Sequence, residues 1–239
     1  GAGATNEAGS INTIKTSANT TSGCSIITYT GNGSAGATIG HGMGIKPSMI
    51  IIKNSSITQD WIVYTQALTA TSILYLNTTG VENDNNVFFN DTEPTDSLIT
   101  LGSNSTANGS GNSHVAYCFS DVQGYSKQGS YIGNGSATSP PFIYLGFKPA
   151  FVLIKNATQA DAWFLHDSKR DGFNDDNEYL RPNLTAAQSS GTNRIRLLSN
   201  GFSVPTTDKS HNVSGNVYIY MAFAENPFVT STGIPATAR

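Results

Sequence analysis

The densest group of side chains able to do chemistry is the acidic stretch "DGFNDDNE" at residues 171–178. Asp171, Asp175 and Asp176 offer the carboxylate oxygens that a hard cation such as Ca²⁺ collects. Their spacing is not that of an EF-hand loop, and the counterpart stretch "VENDNN" at 81–86 is less acidic. The stretch therefore reads as a solvated loop and not as a metal site. Four histidines are present, His41, His114, His166 and His211, and none has a partner at metal-ligand spacing. His41, in "IGHGMG", reads as a turn residue. "GNGSAG" at 31–36 lacks the spacing of a phosphate-binding loop and opens no helix, and there is no G-x-S-x-G nucleophile elbow. A carboxylate pair for glycoside hydrolysis needs a set separation across a cleft, which sequence does not encode. The chain thus reads as a non-enzyme that needs no cofactor.

The elements that position these residues come from a repeat. "YTGNGSAG" at 29–36 returns as "YIGNGSAT" at 131–138, a separation of 102 residues. At the same separation "MIIIKN" (49–54) meets "FVLIKN" (151–156), and Trp61 meets Trp163, the only two tryptophans. At a separation of 104, "YLNTT" (75–79) meets "YLRPNLT" (179–185), and "VAYCFSD" (115–121) meets "IYMAFAE" (219–225). Landmarks in one order at a near-constant offset indicate tandem duplication of a unit about a hundred residues long. Each unit reads as all-β: short branched and aromatic runs, Pro-opened, separated by polar turns, with no helical periodicity. "PSMIIIKN"/"DWIVYTQ" and "PAFVLIKN"/"AWFLHDS" each read as a hairpin. Asn-Gly pairs at 32–33, 108–109, 134–135 and 200–201 read as tight turns. The expected fold is two tandem duplicated β-sandwich units, jelly-roll or lectin-like, packed closely because the join "YSKQGS" (125–130) is short. The boundaries are 1–22, a linker or assembly arm ordered by neighbouring chains; 23–128, repeat 1; 129–228, repeat 2; and 229–239, a tail. The two tryptophans, retained at equivalent places, are expected to be buried.

Charged residues make up only 12% of the 239-residue chain, so its surface polarity must come from Asn, Ser, Thr and Gly. A net charge of −3 gives no electrostatic basis for a nucleic-acid partner, and no apolar run is long enough for membrane insertion by a helix. The two cysteines, Cys24 and Cys118, lie in apolar strand-like segments and read as buried free thiols. The eleven N-x-S/T sequons read as accidents of an Asn-, Ser- and Thr-rich composition.

Five segments together carry a resemblance: "GNGSAGATIGHGMGIKPSMIIIK" (31–53), "HVAYCFSDVQGYSKQGSYIGNGS" (114–136), "YLRPNLTAA" (179–187), "LLSNGF" (197–202) and "YIYMAFAENPF" (218–228). They resemble a domain family of unknown function in tailed-phage proteins, namely tail fibres, tail-tip attachments and related virion components of marine and cyanobacterial phages. The resemblance spans residues 23–228 and brings no catalytic residue with it. A block of the type Asp167-Ser168, Arg170, Tyr179-Leu180, Asn183 and Thr185 is kept in the second half. The first half has Thr65-Gln66 in place of Asp-Ser. The resemblance implies a non-enzymatic virion component, a tail-fibre or tail-tip domain for host-surface glycan attachment. The alternative is a structural subunit of a virion decoration or an extracellular filament; a glycan-degrading spike is the least favoured reading. The implied partners are copies of itself in a homo-oligomer (a trimer is one such assembly), other virion or fibre proteins, and a host-surface glycan. The implied location is the virion tail or an extracellular filament. Recognition is expected in the loops where the halves differ, 82–93 and 170–178, on Asn83, Asp84, Asn85, Asp171, Asp175 and Asp176.

Overall fold

The structure, a computed structural model, describes residues 2–170, 174 and 176–226. The chain divides into two compact units, Gly1–Leu76 with Glu82–Asp121, and Asn77–Val81 with Val122–Arg239. Both are almost wholly β, and every strand pairing is antiparallel.

Unit 1 contains β1 (Lys15–Asn19), β2 (Cys24–Thr30), β3 (Ala37–Gly40), β4 (Met49–Asn54), β5 (Ile62–Thr65), β6 (Ser72–Tyr75), β7 (Asn83–Asp84), β8 (Leu98–Leu101), a single helical turn α1 (Ser105–Asn108) and β9 (Ser113–Phe119). A seven-stranded sheet runs β1-β2-β9-β4-β5-β6-β7, and β3 pairs with β8. Alternation along "CSIITYT" turns Ser25, Ile27 and Tyr29 inward and leaves Ile26 exposed. One core results: Ile27, Tyr29, Ile50, Ile52, Tyr64 and Ala116 from the large sheet meet Ala37, Ile39, Ile99 and Leu101 from the β3–β8 pair.

Unit 2 contains β10 (Ser126–Ile132), β11 (Phe142–Tyr144), β12 (Pro149–Asn156), β13 (Trp163–Asp167), β14 (Asp176–Tyr179), β15 (Ser189–Leu198), β16 (Gly201–Ser203) and β17 (Val217–Ala224). Two four-stranded sheets, β10-β17-β12-β13 and β11-β16-β15-β14, enclose a second core. Val152, Ile154, Tyr218 and Tyr220 of the first sheet meet Ile143, Ile195, Leu197 and Phe202 of the second. The run β10-β17-β12-β13 has the order of β2-β9-β4-β5 in unit 1, and the segments 49–54 and 151–156 occupy equivalent places in these runs. The two expected hairpins are present as β4–β5 and β12–β13.

The phrase "GNGSA" does different work from the expected hairpin turn. The strands flanking each copy do not pair with one another. Each copy wraps a fully buried asparagine instead. The Asn108 carboxamide donates to Asn32 Oδ1 (3.3 Å), Ser34 O (3.0 Å) and Gly102 O (2.9 Å), and accepts from the Asn32 N–H (2.9 Å). Asn212 donates to Asn134 Oδ1 (3.2 Å), Ser136 O (3.2 Å), Val204 O (3.3 Å) and Thr206 O (2.8 Å), and accepts from the Asn134 N–H (2.8 Å). The glycines follow from this geometry. A Cβ on Gly31 or Gly133 would lie 2.5 Å from Gly109 O or 2.2 Å from Val213 O, and Gly33 and Gly135 take φ of +73° and +68°. Of the four Asn-Gly pairs, only 200–201 lies at a hairpin, where Ser199-Asn200 joins β15 to β16.

Other expectations change as well. Within the expected arm 1–22, the described residues are held by their own chain. β1 pairs along β2, Ala4 bridges Thr16, and Ile11 enters the unit 1 core. The polar "KTSAN" needs no apolar face to do this, because an edge strand is secured by backbone pairing. Residues 126–128, placed in repeat 1 by sequence, begin β10 and pair with β17, so the unit boundary falls at Asp121/Val122. Trp163 is buried, whereas Trp61 is half-buried and stacks on Tyr117 at 6.4 Å between ring centroids. Cys118 is buried and Cys24 half-buried, both free. Cys118 faces Ser25 in the β2–β9 register while Cys24 faces Phe119, so the thiols point to opposite faces. The sequon residues Asn54, Asn108, Asn156 and Asn212 are fully buried and committed to internal hydrogen bonds. The tail 229–239 lies outside the described residues.

Candidate functional site

Of the residues singled out from sequence, Asn83, Asp84 and Asn85 belong to unit 1 and Asp176 to unit 2. Asn83 and Asp84 form the short edge strand β7, where Asn83 Nδ2 donates to Tyr75 OH (3.3 Å). Asn85 follows, and its side chain accepts from the Val87 N–H (3.2 Å). Asp176 opens β14 in unit 2; Asp171 and Asp175 lie outside the described residues. Among the described residues no group of three or more His, Cys, Asp and Glu is placed to hold a metal ion.

A different set of side chains in unit 2 lines an open cavity of about 260 Å³: Asp161, Phe164, Tyr179, Arg181, Arg194, Asp208, Lys209 and Ser210. Three elements build it. Alternation along β13 turns Phe164 and His166 to one face. Leu165 and Leu180 exchange backbone hydrogen bonds (2.9 and 3.0 Å), which brings Tyr179 and Arg181 alongside. Tyr179 then packs on Phe164 with ring centroids 5.2 Å apart. β15 supplies Arg194. The guanidiniums of Arg181 and Arg194 lie over the Tyr179 ring at 5.9 and 5.4 Å.

Residues 208–210 line one side of the cavity, and side chains from other strands fix the backbone of 208–212. Lys209 O accepts from Asn156 Nδ2 (2.6 Å) and Tyr218 OH (3.0 Å), and His211 O accepts from Tyr131 OH (2.8 Å). Arg194 Nη1 donates to Asp208 Oδ2 and to Ser210 Oγ (3.1 Å). Ser210 Oγ lies 2.7 Å from His211 Nδ1, and His211 Nε2 lies 2.9 Å from His166 Nε2. One Nε2–H must therefore donate to the other ring. The chain Arg194–Ser210–His211–His166 runs from the cavity wall into the interior, where both histidines are fully buried. Burial, together with the neighbouring His166 and the Arg194 charge, holds His211 well below the usual histidine range, so it stays neutral. Below the floor, the fully buried Lys155 donates to Asp161 O (2.8 Å) and Thr79 O (3.3 Å), and burial lowers its pKa to about 8.

The charges of this cavity are unbalanced. Arg194 has Asp208, but Arg181 has no carboxylate partner among the described residues. Its Nη2 donates to Ser189 Oγ (2.8 Å), and its buried Nε meets no acceptor among the described residues. Three cations, Arg181, Arg194 and Lys209, face two carboxylates, Asp161 and Asp208. Sequence reasoning missed the site because it draws on four separate chain stretches. A signal was nevertheless present. At the repeat offsets Asp161, Arg181, Asp208 and Lys209 stand opposite Gln59, Asn77, Asn104 and Ser105, so each of these charges has an uncharged counterpart in the first half.

A sequence profile described as a domain of unknown function (DUF7483) matches residues 1–227, running through both units. The chain belongs to the DUF7483 family. Comparison with curated proteins and with solved structures finds no match. DUF7483 membership names no reaction and no ligand, and the cavity chemistry stands on its own geometry.

Proposed function

We propose that the chain is a non-enzymatic attachment domain of a phage virion, borne on a tail fibre or tail tip and binding a host-surface glycan. The observation that carries this reading is the unit 2 cavity: a concave, polar, pre-organised site of hydrogen-bond donors and acceptors on an aromatic floor. The low charge of the chain and its Asn-, Ser- and Thr-rich surface suit a display scaffold that meets polysaccharide. The similarity of the two halves supports descent by duplication, with binding specialised in the second.

The test is retention of the purified chain on immobilised bacterial surface polysaccharides, alongside adsorption of the chain to host cells. Saturable binding to at least one polysaccharide, lost on changing cavity residues, is the expected result. A chain that binds none, yet associates with copies of itself or with virion proteins, would favour the structural-subunit reading. One feature supports that alternative: β10 and β11 are edge strands and expose Ile132, Phe142 and Tyr144, at 65%, 49% and 60% of their surface.

A further inference from the structure

We propose that the unit 2 cavity takes a carboxylate-bearing sugar, with Arg181 receiving the carboxylate; this deepens the glycan-attachment reading and rests on it. Arg181 is half-buried, and among the described residues its charge is matched by no carboxylate and its fork is held at one corner only, by Ser189. A guanidinium presents five N–H donors in a plane that suits a carboxylate. Burying it without a counter-charge is unfavourable, and an anionic ligand relieves that.

The remaining walls select the kind of anion. Asp161 and Asp208 sit among the cations, so among the described residues the cavity lining exceeds neutrality by a single positive charge. A ligand carrying two or more negative charges, such as a phosphate ester or a nucleotide, overshoots that excess. A singly charged polyol matches it. Its hydroxyls donate to Asp161 and Asp208 and accept from Lys209, whose ammonium has no ion-pair partner among the described residues. A volume of about 260 Å³ lies just below the usual range for small-molecule sites, which fits one terminal ring. The fixed backbone of 208–212 holds these groups in place before a ligand arrives. The uncharged counterparts in the first half of the sequence assign this binding to the cavity of unit 2 alone.

The experiment titrates the full chain with glucuronate, galacturonate and mannuronate, each against its parent hexose, with acetate as the bare carboxylate. At least one uronate is expected to bind about tenfold or more tightly than its hexose and than acetate, weakening as salt is raised. Arg181→Gln should lose that preference about tenfold with only a small drop in melting temperature, since among the described residues Arg181 makes no ion pair and its contacts are the Ser189 hydrogen bond and the Tyr179 ring. Arg181→Lys, which keeps the charge and loses the fork, should restore it only in part. Equal binding of uronates and hexoses, or acetate binding as well as the uronates, would overturn the proposal. So would an Arg181→Gln chain that binds uronate normally. If the chain binds neutral surface polysaccharides and no uronate, this inference fails and glycan attachment stands.

Discussion

Asn108 and Asn212 carry more of the fold than their polar character suggests. Each is fully buried and satisfies carbonyls from separate segments of its unit. Asn212→Ala leaves Ser136 O, Val204 O, Thr206 O and the Asn134 N–H without that partner, and is expected to cost about 3 kcal/mol in denaturant unfolding. It also loosens the cavity segment that follows Thr206, so glycan binding should fall with it. The tryptophans, alike in sequence, are expected to behave differently. Trp163→Ala should cost about 3–5 kcal/mol, as a truncated buried aromatic does, whereas Trp61→Ala, half-buried and stacked on Tyr117, should cost about 1–2 kcal/mol. Equal losses would contradict the burial difference.

The histidines set a pH dependence. His41 accepts from the Met43 N–H and lies 3.1 Å from Thr95 O, and His114 accepts from the Gly109 N–H and lies 3.0 Å from Asn112 O, so both rings are held neutral. Burial lowers the pKa of His41, His114 and His211. With folded pKa values below the unfolded value of 6.5, the unfolded chain binds more protons in the interval. Stability from these groups is complete above pH 6.5 and falls as pH drops through the folded values. Each contributes a slope of up to about 1.4 kcal/mol per pH unit. The denaturant midpoint should fall between pH 7.5 and 5.5 and change little with added salt, because the cause is burial. A flat midpoint across that interval would count against it.

At the scale of elements, β1 is the piece that sequence could not see. "KTSAN" has no apolar alternation, and its pairing with β2 depends on backbone groups that every residue carries. Deleting residues 1–22 removes a whole edge strand, uncovers β2 and takes Ile11 from the core. The expected outcome is a chain whose unit 1 melts earlier and which aggregates through the newly open β2 edge. Normal melting and solubility after the deletion would return the segment to the role of a free arm. By contrast, β4, β5, β12 and β13 were legible, because branched and aromatic runs bounded by polar turns have few alternatives to a buried hairpin. The repeated "GNGSA" was legible as a landmark but misread as a hairpin turn. Local glycine chemistry is the same whether it serves a two-residue turn or the close approach of a loop to a buried asparagine. The cavity was illegible for a third reason: Arg181, Arg194 and Ser210 meet only through the Leu165–Leu180 bridge and the side chains that pin 208–212, both long-range facts.

For the whole molecule, the count of two units was readable from the offset, while their boundaries were not. Unit 2 includes Asn77–Val81, a stretch that lies within the first half of the sequence. Thr79 O accepts from the Asp161 N–H (3.0 Å) and from Lys155 Nζ, and Thr78 O accepts from Asn183 Nδ2 (3.0 Å). A fragment of residues 122–226 lacks these partners. It is expected to unfold at lower denaturant than the same unit within the full chain, by about 1–3 kcal/mol for each buried group left unpaired. Trp163 fluorescence in a Trp61→Phe background reports that transition alone. Identical midpoints would show that the stretch adds nothing to unit 2.

The same stretch gives the chain an order of events on the ribosome. Synthesis proceeds from the N-terminus and units tend to fold as they emerge. Residues 77–81 leave the exit tunnel long before Lys155, Asp161 and Asn183 exist. Unit 1 can close once Asp121 is out, but it must do so with this stretch still lacking Lys155, Asp161 and Asn183 for a further thirty to sixty residues of elongation, about 2–12 seconds at usual rates. The wait ends only when β12, β13 and the Asn183 turn emerge, so stalled nascent chains whose emerged part ends between Asp121 and Asn183 should show unit 1 protected from protease while 77–81 is still cleavable.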